Sequence, residues 1–155
     1  MKKIKLFDPV VTKEEKEIIK VLKSHFWASG AGTNNVLKFE NQFQKYINST
    51  SSVAVNSGTA ALHLALNLAE IRNKEVIVPS LSFVSTAHSI VYNGGIPIFV
   101  DVNPETLCID IESIKEKITN KTAAILPVHF AGAPCNLDGI KKLCNKYKIM
   151  SIEDA

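Results

Sequence analysis

Apolar residues recur at two different spacings along this chain, and the change of spacing organises it. In the first stretch they recur at helical intervals: Ile18, Ile19 and Leu22, then Val36, Phe39, Phe43, Tyr46 and Ile47. Each set forms a stripe along one side of a helix. Thr12 followed by Glu15 reads as a capping box that starts the first helix. Ser29-Gly30-Ala31-Gly32-Thr33 breaks the chain between the two, and the polar run Asn48 to Ser52 ends the second in a turn. Thereafter short β-branched or apolar runs alternate with segments of helical periodicity. The runs are Val53–Val55, Val76–Val78, Ile96–Val100, Ala123–Val128 and Ile149–Ile152. Between them lie Ala60–Ala69, Phe83–Tyr92, Ile111–Ile118 and Leu137–Tyr147. The later runs recur roughly every 20–26 residues, the length of a βαβ unit. The rhythm predicts an α/β fold with a mostly parallel sheet and helices on both faces. Ligands of such sheets sit at the carboxyl ends of the strands, so the loops after each strand are where chemistry is expected.

Composition narrows the class without naming a function. The 155 residues are 46% hydrophobic and 21% charged, the balance of a globular chain large enough for a real core. The net charge of +3 is spread out, with Lys13, Lys16, Lys20 and Lys23 sharing one helix with Glu14, Glu15 and Glu17. A solvated helix face fits that mixture better than a nucleic-acid patch. Cys108, Cys135 and Cys144 have neither metal-ligand nor redox spacing, and their odd number suits a reducing compartment. No charged-then-apolar leader or membrane-length apolar run is present, so a cytoplasmic protein that binds no metal, nucleic acid or membrane is expected.

Three strand ends carry candidate chemistry. After the first, Ser57-Gly58-Thr59 opens the helix Ala60-Ala61-Leu62-His63. Free N–H groups, the positive helix end and two hydroxyls would make a small phosphate cradle, although the same residues also read as a plain N-cap. Neither a P-loop nor a dinucleotide fingerprint is present. After the second, Phe83 either stacks on a flat ring or fills the core. The last strand runs into Glu153-Asp154-Ala155, where a carboxylate either holds a proton on a heteroaromatic nitrogen or serves a turn. His129 also lies at a strand end, where a structural role is favoured over a catalytic one.

In this order, the stretches resemble the DegT/DnrJ/StrS-type sugar aminotransferases, pyridoxal-phosphate enzymes of the aspartate aminotransferase fold (fold type I). The residues carrying the likeness are Ser57-Gly58-Thr59-Ala60-Ala61-Leu62-His63, Glu75-Val76-Ile77-Val78-Pro79-Ser80 and Ser82-Phe83-Val84-Ser85-Thr86. It continues through Gly95-Ile96-Pro97-Ile98-Phe99-Val100-Asp101-Val102, Pro127-Val128-His129-Phe130-Ala131-Gly132-Ala133-Pro134 and Ile152-Glu153-Asp154-Ala155. Asn73-Lys74 replaces a Gly-Asp pair common in the family, a change in a surface turn.

The resemblance implies that Gly58, Thr59 and Ala60 bind the phosphate of pyridoxal 5'-phosphate, that Phe83 stacks on its ring, and that Asp154 pairs with the ring nitrogen. Ser57 and His129 would line the site. Residues 1–155 would be the N-terminal part of the cofactor-binding large domain, preceded by a helical segment over residues 1–50. The implied reaction moves an amino group from an amino acid, glutamate as a rule, to a nucleotide-linked keto-sugar by way of pyridoxamine phosphate, in a homodimer. Relatives with histidine in place of the cofactor-bearing lysine dehydrate sugars instead. That lysine is expected some tens of residues beyond Asp154, as are the rest of the large domain and the small domain. The 155 residues alone are therefore expected to be inactive and marginally stable, or to serve as a non-catalytic binder of cofactor or sugar.

Overall fold

The sheet alternates its side chains between two cores, and that alternation explains most of the architecture. Residues 9–27 and 34–155 are described by the computed structural model; the glycine-rich break at Ser29–Thr33 lies outside them. The chain divides into two compact units, the first ending at Ala54 and the second spanning Val55–Ala155.

The first unit contains α1 (Glu14–Ser24) and α2 (Asn34–Ile47). The capping box read at Thr12 and Glu15 does not form: Lys13 is the residue before the helix, and the Glu14 carboxylate accepts the Thr12 N–H at 2.5 Å. The neighbouring carboxylate reaches back, so Glu15 is left to the solvated face. His25 ends α1 in the left-handed region at φ 59°. Both apolar stripes form as expected, yet no residue of α1 is buried. Within α2, the Phe39 and Phe43 rings stack at 5.7 Å. The Glu40 carboxylate accepts the Ala54 N–H at 2.8 Å.

In the second unit the order is α3 (Gly58–Leu68), β1 (Glu75–Pro79), α4 (Val84–Tyr92), β2 (Ile96–Val100), α5 (Ile111–Lys117), β3 (Thr122–Ile125), α6 (Leu137–Tyr147) and β4 (Met150–Ser151). The strands form one parallel sheet in the order β2-β1-β3-β4. Val53–Val55, read as a strand, does not become one. A strand exists only where a neighbour takes up its hydrogen bonds, and this segment's recorded bond is to the Glu40 side chain.

Successive residues of a strand point to opposite faces. Val76 and Val78 of β1, with Ala124 and Leu126, pack with Leu62, Leu66 and Ile90 from α3 and α4. Ile77 and Ile125 pack on the other side with Ile114, Ile140 and Leu143 from α5 and α6. The expected α/β architecture with helices on both faces is thus present. Side-chain caps fix three helix starts: Ser57 accepts from Ala60 N–H, Asp110 from Ser113 N–H and Asn136 from Gly139 N–H. Gly95 lets α4 turn directly into β2, because a Cβ there would lie 2.6 Å from Ile71 Cδ1 and 2.9 Å from Ile90 Cγ2.

From β1 the chain leaves through α4 on one face toward β2, whereas from β3 it leaves through α6 on the other face toward β4. Such a reversal between neighbouring strands opens a crevice at their carboxyl ends.

Candidate functional site

Three chain segments meet at that crevice. The loop after β1 supplies Ser82 and Phe83, the extension of β3 supplies Val128 and His129, and the extension of β4 supplies Glu153 and Asp154. Helix α3 arrives from the same end. Its later residues His63 and Leu66 share a cavity of about 480 Å³ with Lys74, which precedes β1, so its start at Gly58 faces the opposite, carboxyl end of the strands.

Asp154 is held by backbone and side chain together. Its N–H donates to Pro127 O at 2.9 Å, and its C=O accepts from His129 N–H at 2.9 Å. The β3–β4 ladder therefore continues as a bridge between Val128 and Asp154. Thr86 donates its hydroxyl proton to Asp154 Oδ2 at 2.8 Å. With that proton committed, the 2.6 Å contact between the Ser82 and Thr86 hydroxyls must be a bond donated by Ser82. Thr86 is fully buried.

Phe83 stands immediately before α4 and is 76% exposed. It is outside the cores formed by the described residues, and a ring face is open to a flat partner. At the start of α3, Ser57 Oγ accepts from Ala60 N–H at 3.2 Å. The plain N-cap reading is therefore present in fact, and it engages one of the three amides expected to meet a phosphate. The N–H groups of Gly58 and Thr59 belong to the first helical turn, which has no intrahelical acceptor. A Cβ at Gly58 would meet nothing within 4 Å, so the space above this helix end is open. Cap and anion site are compatible here, since they use different amides.

His129 is occupied on both ring nitrogens. Nδ1 accepts from Cys135 N–H at 3.1 Å, and Nε2 lies 3.2 Å from Glu153 Oε2. The neutral ring then carries its proton on Nε2 and donates it to Glu153. These contacts tie the extension of β3 to Glu153 and to the backbone at Cys135. Cys135 donates its thiol to Val128 O at 3.1 Å. Burial, reinforced by neighbouring Cys108, pushes that thiol up to about 11, which keeps it protonated at neutral pH and unreactive. Among the described residues no cluster of His, Cys, Asp or Glu could hold a metal ion, and no helix is long and apolar enough to cross a membrane.

Of the residues named from sequence, Phe83, His129 and Asp154 follow β1, β3 and β4, while Ser57, Gly58, Thr59 and Ala60 stand at the start of α3. Sequence reasoning gave no role to Ser82, Thr86 or Glu153. The available signal was the four-residue spacing of Ser82 and Thr86 across a helix start.

Residues 10–155 match the DegT/DnrJ/EryC1/StrS aminotransferase family. The chain belongs to that family. This family member is 40% identical over 155 residues to GDP-perosamine synthase of Escherichia coli O157:H7, covering 99% of this chain and 42% of that protein. Among solved structures, an aminotransferase from Psychrobacter cryohalolentis superposes with a TM-score of 0.89 at 36% identity, over 94% of this chain and 37% of the other. The E. coli GDP-4-keto-6-deoxy-D-mannose-3-dehydratase with bound hydrated pyridoxal phosphate superposes with a TM-score of 0.85 at 34% identity, over 96% and 39%. The chain spans about two fifths of the length of the curated relatives it matches. Its parallel sheet with helices on both faces is the fold of the pyridoxal-phosphate-dependent, fold type I enzymes among its neighbours.

Proposed function

We propose that residues 1–155 form the cofactor-binding part of a pyridoxal-phosphate-dependent aminotransferase acting on a nucleotide-linked keto-sugar. The observation that carries this reading is Asp154, a carboxylate fixed at a strand end by two backbone hydrogen bonds and one from Thr86. A carboxylate so placed can hold a proton on the cofactor's ring nitrogen. Gly58 and Thr59 would bind the phosphate through backbone N–H groups at the positive end of α3, with Ala60 adding to the helix field while its own amide caps. Phe83 would cover one face of the ring and exclude water from it. Bound in this way, the cofactor supplies an electron sink for moving an amino group. In this reading an amino acid such as glutamate is the donor, and a cytoplasmic homodimer is the working form.

A second reading, a sugar dehydratase using the same cofactor, is supported by the E. coli 3-dehydratase neighbour. A nucleotide-linked keto-sugar supplied with glutamate to a protein that carries the cofactor-bearing lysine as well as these residues separates the two. An amine gained by the sugar supports transfer, whereas a hydroxyl lost supports dehydration.

The cofactor reading is tested by titrating the chain with pyridoxamine 5'-phosphate and following heat. Saturable binding is expected, weakened about tenfold or more by Asp154→Asn, whose neutral amide cannot pair with a protonated ring nitrogen. Phe83→Ala should weaken it by about fivefold through loss of stacking. Absence of saturable binding by the unsubstituted chain would sink the proposal.

A further inference from the structure

We infer that Thr86, with Ser82 behind it, is a positioning residue that keeps the Asp154 carboxylate aimed at the ring nitrogen. The inference rests on the cofactor reading above and deepens it. Ser82 donates to Thr86, and Thr86 donates to Asp154 Oδ2, over 2.6 and 2.8 Å. The chain of donors has one direction, because a carboxylate only accepts and each hydroxyl has a single proton. Hydroxyls linked this way polarise one another, so the bond reaching the carboxylate is strengthened by the one before it.

This arrangement divides the carboxylate between two tasks. Oδ2 accepts from Thr86, and Oδ1 would be the oxygen left for the ring nitrogen. The bond limits rotation of the carboxylate. Asp154 belongs to the β4 extension and Thr86 to the first turn of α4, 68 residues away in sequence, so one hydroxyl fixes the spacing across the crevice. Thr86 is fully buried in α4, where a valine of nearly the same shape would satisfy packing alone. The selection of a hydroxyl is what the donor chain explains.

The test uses pyridoxamine 5'-phosphate labelled with ¹⁵N in the ring, so that the nitrogen resonance reports its protonation directly. Thr86→Val should weaken binding by about tenfold, the order expected for loss of a hydrogen bond to a charged group. It should also move the ring-nitrogen resonance toward the unprotonated position. Thr86→Ser should restore both. Ser82→Ala, outside the buried core, should weaken binding by about threefold and move the resonance part of the way; it keeps the test decisive where Thr86→Val folds poorly. Normal affinity and an unmoved resonance in Thr86→Val or Ser82→Ala would overturn the positioning role while leaving the cofactor reading intact. A Thr86→Ser variant as weak as Thr86→Val would also overturn it, since shape rather than the hydroxyl would then matter. Failure of the unsubstituted chain to bind would instead overturn the cofactor reading on which the role depends.

Discussion

The two units of this chain were built from equally regular apolar patterns, and they use them differently. In the second unit, Ile77, Ile125, Leu66 and Ile140 are at most 1% exposed, gathered into two cores on either side of one sheet. In the first, Ile18, Leu22 and Phe39 lie on helical stripes of the same quality but are more than half exposed. They line an open groove of about 920 Å³ with Val21 and Trp27. A periodic stripe therefore determines that a helix forms and which side is apolar. It does not determine that the side is covered, because covering requires a second surface of matching shape.

The contrast can be broken most directly by truncating one residue of each kind. Ile125→Ala, in the centre of the sheet, should lower the folding free energy by about 3–4 kcal/mol through lost burial and a cavity. Leu22→Ala should cost less than about 0.5 kcal/mol, as exposed substitutions generally do. Urea denaturation of both variants measures the difference. Equal costs would mean that the α1 stripe is covered in solution, and the contrast would fall.

Two glycines sharpen it within the second unit. Gly95→Ala forces a Cβ against Ile71 and Ile90, and should cost about 1–3 kcal/mol by overpacking. Gly58→Ala meets open space and should leave the thermal midpoint nearly unchanged. A large loss of stability in Gly58→Ala would show that the start of α3 is packed rather than open.

Helix starts provide the smallest comparison. Asp110→Ala removes the cap that accepts from Ser113 N–H at 2.8 Å and should cost about 1 kcal/mol. α1 begins at Lys13 without a side-chain cap, so Lys13→Asp should raise its helical content, by no more than about 1 kcal/mol of helix stability. Far-UV circular dichroism with thermal melting reads both effects. An unchanged signal in Lys13→Asp would mean that the Glu14 bond to Thr12 already serves as the cap.

Much of the second unit was legible because its signals are local. Val76-Ile77-Val78 is a continuous apolar run, the mark of a strand buried on both faces, and β1 indeed feeds two cores. Asp154 was legible as a carboxylate at the end of a strand pattern. Val53–Val55 has the composition of a strand, but a strand needs a neighbour to take up its hydrogen bonds, and the resemblance places that neighbour outside residues 1–155. The cap at α1 was misread by one position, since Glu14 and Glu15 are chemically identical and only the backbone geometry chooses between them. Thr86 was invisible for the opposite reason: its hydroxyl looks like any helix threonine until residue 154 comes within 2.8 Å. Phe83 lay between these cases, as its aromatic character was plain but its exposure was not.

The cysteines have a consequence of their own. Cys108, Cys135 and Cys144 all belong to the core beneath α5 and α6, and none belongs to the core beneath α3 and α4. Trapping by a thiol reagent would therefore act as a clock for one side of the sheet alone, ticking only when α5 or α6 lifts away. Paired with amide exchange over the whole chain, its rate would reveal whether the two faces open as one cooperative unit or in turn.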